Sequence, residues 1–369
     1  MKEGHRWSYR GCTCCDGTGL SLSGAVLNRR NFIVGAAAAM ATVGLVKPNR
    51  AAAQTTEATK PYRIDVHHHL SPPTYISASN ASNFGDPLMK NWTPEKSLQD
   101  MDRAGVAVAM LSVTTPGLNF TSGDVARKLA RECNDYAARL VADHPGRFGS
   151  FAMVPLTDVD GSLQEIAYAL DTLKADGIGL MTSYGDKWLG DPSFLPVMEE
   201  LDRRKAVVYT HPTAANCCVN LVRTQQPVMI EFGTDTTRTI ADIIFSGNAQ
   251  KFRDIRWIFS HAGGTMPFLI ERFVRNPLLD PNAKATVPDG TLAELKRFYY
   301  DTAQTSNKGS MLALSAIIPV SQIVFGTDFP YRTSIDHVKG LRDGGVFTDA
   351  QLIDIERGNA LRLLPRLAV

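Results

Sequence analysis

The chain is poor in several things that would place it elsewhere. Only six cysteines occur in 369 residues, and three of them (Cys12, Cys14, Cys15) crowd into the first fifteen positions. The others, Cys133 and the adjacent Cys217 and Cys218, make no disulfide framework, and the adjacent pair reads as loop or packing residues. The Cys12-x-Cys14-Cys15 cluster lacks histidines at zinc-finger spacing. No Gly-x-Gly-x-x-Gly follows an apolar strand, so a dinucleotide fold lacks its usual fingerprint. There is no sequence repeat and no low-complexity tract. Charge of one sign is also missing: the formal net charge is +2, and the basic excess sits in residues 1–53. The rest carries no surplus suited to a phosphate backbone, which argues against nucleic acid as a partner.

Long hydrophobic runs are scarce as well. The one near the N-terminus, Phe32 to Val46, is about 15 residues, short of the roughly 20 that span a bilayer. It follows Arg29-Arg30-Asn31-Phe32-Ile33 and precedes Ala51-Ala52-Ala53. Twin arginines, a short apolar stretch and a small-residue cleavage site are the parts of a twin-arginine export signal. The expectation is a signal peptide over 1–53, a linker over 54–61 and a catalytic domain over 62–369. The mature chain would be exported, periplasmic or extracellular, and free of the membrane. An uncleaved N-terminal anchor is the alternative.

What is present is a rhythm. Short apolar or β-branched runs at Arg63–His67, Val106–Val113, Phe148–Pro155, Gly177–Thr182, Ala206–His211, Ile255–His261, Phe298–Thr302 and Ile323–Gly326 alternate with helical patterns. The helix over Pro94–Ala104 is bracketed by Thr93 as its cap and Gly105 as its stop. A long amphipathic pattern covers Ser122–His144, and a last helix is expected over Asp349–Leu364. Eight strands, each followed by a helix, predict an α/β fold, a (β/α)8 TIM barrel. A doubly wound open sheet is the alternative.

The chemistry-bearing residues fall at strand ends. His67 and His69 follow strand 1, His211 ends strand 5, His261 ends strand 6 and Asp328 follows strand 8. In a barrel these ends share the face where active sites sit. Residues i and i+2 of a strand point the same way, so His67 and His69 can face the axis while His68 turns away. Imidazole nitrogens suit zinc and other first-row divalent ions. Asp328 can ligate, or act as acid and base beside a metal. Asp65 reads as a structural hydrogen-bonder. Asp301 either supports the site or makes a turn. His144 and His337, in helical or turn contexts, are expected to be solvated.

Ile64-Asp65-Val66-His67-His68-His69, Thr210-His211-Pro212, Ser260-His261-Ala262-Gly263-Gly264 and Gly326-Thr327-Asp328-Phe329-Pro330 resemble the amidohydrolase superfamily. Within it they look like the aminocarboxymuconate-semialdehyde decarboxylase branch, the amidohydrolase 2 proteins, over roughly residues 62–365. Pro145-Gly146-Arg147-Phe148, Ala175-Asp176-Gly177, Tyr184-Gly185 and Asp235-Thr236-Thr237-Arg238 look closest to 6-methylsalicylate decarboxylases. The resemblance implies one divalent metal ion, usually zinc and sometimes manganese, with His67, His69, His211 and Asp328 as ligands. It implies that His261 bonds a metal-bound water or the substrate. Strand 4 ends in Gly179-Leu180-Met181-Thr182, without the bridging lysine of the two-metal members. The resemblance further implies a homodimer in which Arg272 reaches across to a substrate carboxylate; a surface arginine is the alternative. A second carboxylate-binding arginine would fall between residues 80 and 92, where only Lys90 is basic. That favours an aromatic monoacid, on whose ring Trp92 can stack, unless Trp92 packs at the helix entry.

The function so implied is non-oxidative decarboxylation of a hydroxylated aromatic or unsaturated carboxylic acid, with Asp328 and His261 moving the proton. Hydrolysis of an amide, ester, lactone or C–C bond on the same residues is the alternative. A non-catalytic periplasmic binding protein is the third reading.

Overall fold

The computed structural model describes residues 61–367. The expected signal peptide and nearly all of the linker lie outside the described residues. Among the described residues, no helix is long and apolar enough to cross a membrane.

Eight strands form one parallel sheet in sequence order. They are β1 (Arg63–His69), β2 (Val106–Ser112), β3 (Phe148–Met153), β4 (Gly177–Met181), β5 (Val207–His211), β6 (Arg256–Phe259), β7 (Tyr299–Asp301) and β8 (Ile323–Val324). The sheet closes on itself. Val66 N–H donates to Phe325 O at 2.9 Å, Asp328 N–H to His67 O at 2.8 Å, and His69 N–H to Phe329 O at 2.9 Å. Closure removes the free edges that an open sheet leaves. The barrel expectation holds, and the open-sheet alternative falls.

The strand sequences explain the layers. Val108 and Met110 of β2, Tyr209 of β5 and Ile258 of β6 pack in one cluster with Leu363 and Leu364 of the C-terminal helix. Alternate residues, such as Leu111, Val208 and Phe259, join a second cluster with the surrounding helices. Period-two alternation between two apolar environments is what a barrel wrapped by helices demands. The Gly123–Asp143 helix buries Ala126, Leu129, Cys133, Ala137 and Leu140 at steps of three or four, with Ala130 beside them. Each large apolar side chain so buried contributes roughly 1.5–3 kcal/mol.

The Pro94–Ala104 helix has the boundaries expected of it. Thr93 Oγ1 accepts from Lys96 N–H, Pro94 occupies the first turn and Gly105 ends the helix at φ 64°. Other boundaries moved. β1 runs on to His69. Short helices at Pro73–Ala81 and Pro87–Lys90 fill what the sequence left as a loop. The last helix is broken by a wider π-type turn at Asp354–Gly358. That turn offers Ile355 O to Phe325 N–H at 3.0 Å, so the helix gives up regularity to pair with the end of β8. Cys217 and Cys218 are joined as a vicinal disulfide in the loop after β5, which corrects their reading as plain loop residues.

Candidate metal centre and active site

The site is built at the C-terminal ends of the strands. β1 carries the first irregularity that matters. Its register against β2 slips between Asp65 and His68. A slip of this kind lets neighbours in sequence share a face and re-aims a side chain. Val66 joins the interior cluster with Tyr209, and His67 also turns inward, its ring 5.3 Å from the Tyr209 ring. His68 points away, as its place between His67 and His69 predicts. Its Nδ1 pairs with Asp65 Oδ2 at 3.0 Å and its Nε2 with Ser97 Oγ at 2.9 Å. Asp65 also accepts from Thr327 Oγ1 at 2.6 Å and Thr327 N–H at 3.1 Å, so it is the structural tie that the sequence suggests.

His67, His69, His211 and Asp328 are all buried, and their ligand atoms lie within 4.8 Å of one another. Each imidazole is oriented from behind. His67 Nδ1–H donates to Asp301 Oδ2 at 2.8 Å, His69 Nδ1–H to Ser112 O at 3.2 Å, and His211 Nδ1–H to Pro212 O at 2.9 Å. These partners assign the proton of each ring to Nδ1 and leave three Nε2 lone pairs converging. His67 Nε2 and His69 Nε2 stand 3.2 Å apart, and both face Asp328 Oδ1, at 3.1 and 2.8 Å. His211 Nε2 is buried with no hydrogen-bond partner among the described residues. Two facing lone pairs and an orphaned third make little sense without a shared cation. Three imidazoles and one carboxylate oxygen fit a single divalent ion. Asp301 therefore supports a ligand; its other oxygen accepts from His261 N–H at 2.8 Å and Ala303 N–H at 3.0 Å.

The electrostatics are those of a site awaiting positive charge. Burial pushes His211 well below its ordinary range, with His69 and His67 adding to the effect, so it presents a neutral ring. Burial also lowers His67, but the carboxylates of Asp301 and Asp328 override this and raise it to about 10. The two acids create a strong demand for a cation here, which a metal ion meets.

The second oxygen of Asp328 faces the other way. Gln304 Nε2–H donates to Asp328 Oδ2 at 2.9 Å, and His261 Nε2 lies 3.5 Å from the same oxygen. Gln304 itself is gripped from below: its backbone N–H donates to His337 Nε2 at 2.9 Å, and His337 Nδ1–H donates to Thr333 O at 3.1 Å. His337 is fully buried, which corrects the expectation that it is solvated. Neither Gln304 nor His337 was singled out as a site residue by the sequence. The signal available for Gln304 was its place just beyond β7, on the face where barrels keep their chemistry.

His261, Ala262, Gln304 and Asp328 all have left-handed backbones, with φ from 54° to 62°. Such conformations cost non-glycine residues energy and gather at functional sites. Two glycines make the arrangement possible. A Cβ on Gly264 would collide with Gly233 O, and one on Gly326 would come within 2.9 Å of His67 Cβ and 3.0 Å of Asp301 Cβ.

Above the cluster lies a cavity of about 710 Å³ that reaches His211, His261 and Asp328. Its walls are largely apolar, with Pro87, Leu88, Val228, Met229 and Phe232 among them. Among the described residues, none of its lining side chains is a lysine or arginine. Trp92 does not reach it. The indole is 5% exposed, packs in the core and donates Nε1–H to Ser97 Oγ at 2.9 Å. Of its two readings, the structure shows the packing one: Pro87 and Leu88 of the short Pro87–Lys90 helix line the cavity, while Trp92 packs into the core at the helix entry. Arg272 is exposed on the Met266–Leu279 helix and is not among the cavity's lining residues within one chain.

A family model described as amidohydrolase matches residues 64–366. A decarboxylase from Penicillium terrestre, macB, is 37% identical, over 83% of this chain and 96% of its own length. The 6-methylsalicylic acid decarboxylase of Aspergillus aculeatus is 36% identical, over 83% and 96%. Among solved structures, an amidohydrolase II superposes with a TM-score of 0.76 at 25% identity, covering 82% of this chain and 99% of its own.

Proposed function

On the premise that this chain belongs to the amidohydrolase family, we propose that it removes the carboxyl group of a hydroxylated aromatic acid without oxidation. The observation that carries this reading is the split orientation of Asp328. One carboxylate oxygen joins three imidazoles in a divalent metal site, and the other looks into an apolar cavity of ring-holding size. The relatives named as decarboxylases over most of their length support it.

His67, His69, His211 and Asp328 would hold a divalent ion, which would supply positive charge to bind and polarise the anionic oxygens of a substrate. Zinc suits the three-imidazole, one-carboxylate donor set, with manganese the alternative outcome of metal analysis. The chain's own residues do the rest. The apolar walls hold the ring and exclude water. A proton taken up from solvent is passed by Asp328 Oδ2, steadied by Gln304 and near His261, to the ring carbon that bears the carboxylate, where a pair of ring π electrons forms the new C–H bond. The bond to the carboxylate then breaks, its electron pair returns to the ring, and CO2 leaves as aromaticity is restored.

The test is metal analysis of the purified protein, then a panel of salicylates and related acids followed by mass. Loss of the mass of CO2 without consumption of water or oxidant supports the reading. Water-dependent cleavage of an ester or amide without CO2 release establishes hydrolysis instead.

Two finer readings accompany it. Residues 1–53 act as a twin-arginine signal, tested by whether replacing Arg29-Arg30 with lysines keeps the protein in the cytoplasm. The enzyme works as a homodimer to which Arg272 contributes across the interface. The same helix exposes Phe268, Leu278 and Leu279 at 77%, 79% and 74%, an apolar surface that a second copy can cover. Light scattering and the activity of mixed Arg272→Ala and His67→Ala subunits test it.

A further inference from the structure

The cavity carries a second polar corner, away from the metal ligands. Asp86 lines it, and so do Tyr331 and Thr114. Asp86 caps the Pro87–Lys90 helix: its Oδ1 accepts from Leu88 N–H at 2.7 Å and Met89 N–H at 3.3 Å. Its Oδ2 accepts from Tyr331 Oη–H at 2.9 Å. A carboxylate offers about four acceptor positions, so one remains on Asp86 after these three donors. Thr114 is 1% exposed, and its hydroxyl lies beside the Tyr331 hydroxyl without a well-formed hydrogen bond among the described residues. A buried hydroxyl so weakly satisfied on a cavity wall gains from a ligand that completes it. The Tyr331 ring stands edge-on to the His69 ring, 5.8 Å between centroids. The Tyr331 side chain therefore links the corner to the metal ligands, its ring beside His69 and its hydroxyl on Asp86.

We propose that Asp86, held by Tyr331 and joined by Thr114, is a specificity subsite that reads a ring hydroxyl of the substrate and turns away a second carboxylate. Asp86 takes the hydroxyl's proton as acceptor, and Thr114 donates to its oxygen. A carboxylate in that position meets the Asp86 charge in an apolar cavity whose lining has no lysine or arginine to offset it. Unfavourable juxtaposition of this kind is how sites reject near-isosteric ligands. The substrate class is thereby narrowed to aromatic monoacids with a hydroxyl remote from the one beside the carboxylate. The inference rests on the reading of the cavity as the binding site of an aromatic acid.

The test uses the metal-loaded full chain and three ligands: 2-hydroxybenzoate, the same ring with a remote second hydroxyl, and the same ring with a carboxylate in that place. Binding is read by calorimetry and turnover by CO2 release. Wild type is expected to favour the dihydroxy acid over the diacid by roughly a hundredfold, an order of magnitude typical of one unpaired or opposed polar group. Asp86→Asn, which keeps the helix cap, is expected to cut that ratio by at least about tenfold, mainly through the diacid. Thr114→Val is expected to weaken the dihydroxy acid several-fold more than it weakens 2-hydroxybenzoate. Circular dichroism confirms that each variant is folded. Equal affinity of wild type for the two acids, or a ratio unmoved in both variants, overturns the proposal. If no acid releases CO2 but the binding ratio and its collapse are seen, the decarboxylase reading falls and the subsite stands.

Discussion

The side-chain amide of Gln304 donates to Asp328 Oδ2 at 2.9 Å, while Asp328 Oδ1 faces His67 and His69. One carboxylate is thus held in a fixed orientation between a metal site and a substrate cavity. Gln304 can do this because His337 pins its backbone in a left-handed turn, at φ 56°. Replacing Gln304 by Ala should lower kcat by about 10–100-fold, the usual cost of removing a partner that orients a metal ligand. Metal affinity should fall less than kcat, because all four ligands remain. Titration with a chromogenic chelator beside steady-state kinetics separates the two effects; an unchanged kcat would remove Gln304 from the mechanism.

Asp301 and the ligands it supports make a graded series. His67→Ala and His211→Ala should leave less than about a tenth of the wild-type metal content at equal free metal, since a three-donor site has lost a ligand and its tetrahedral geometry. Asp301→Asn keeps a hydrogen-bond acceptor near His67 Nδ1 but removes the charge, and should weaken metal binding by roughly 10–100-fold. Dialysis against dipicolinate should abolish turnover, and divalent metal should restore it. Full activity in the metal-free protein would contradict the assignment of the centre.

Trp92→Phe should leave kcat and KM within about twofold, because the indole packs away from the cavity. Stability should fall by about 1–2 kcal/mol, since the Trp92–Ser97 hydrogen bond is buried. Urea unfolding and kinetics on the same preparation measure both. A large rise in KM would restore Trp92 to the substrate.

Glu200 reports on acid stability. Hydrogen bonding to Arg203, and further to Arg204, outweighs burial and holds its carboxyl down at about 2, against 4.5 for an ordinary glutamate. The folded state therefore binds this proton less readily than the unfolded state. Its stabilisation is present in full above about pH 4.5 and is lost as pH falls towards 2. The difference in urea midpoint between wild type and Glu200→Gln should shrink from pH 6 to pH 3.5. A gap that widened on acidification would reverse the sign of the effect.

The sequence by itself determined the barrel and the strand-end positions of all four metal ligands, and the physical reason is local. Strands sandwiched between two apolar layers must be apolar on both faces, so their runs stand out. Each run then marks a C-terminal end, and His67, His69, His211, His261 and Asp328 sit at or just past such ends. Thr93, Pro94 and Gly105 fix a helix through bonds made within a dozen residues. The amidohydrolase resemblance rests on the same short segments.

Tertiary structure alone decided what each of those residues faces. The register slip in β1 that turns His67 inward depends on its pairing with β2, some forty residues away. His337 reads as a polar helical residue, and only the packing of its helix against the Pro94–Ala104 helix and the segment after β7 buries it and sets it against the Gln304 backbone. Trp92 and Asp86 lie six positions apart near one helix entry. The acid lines the cavity and the indole goes into the core, because that choice is made by which face of a short helix meets the barrel. No periodicity in four residues can announce it. The partners that orient a site come from distant strands, and their pairing is a property of the closed ring.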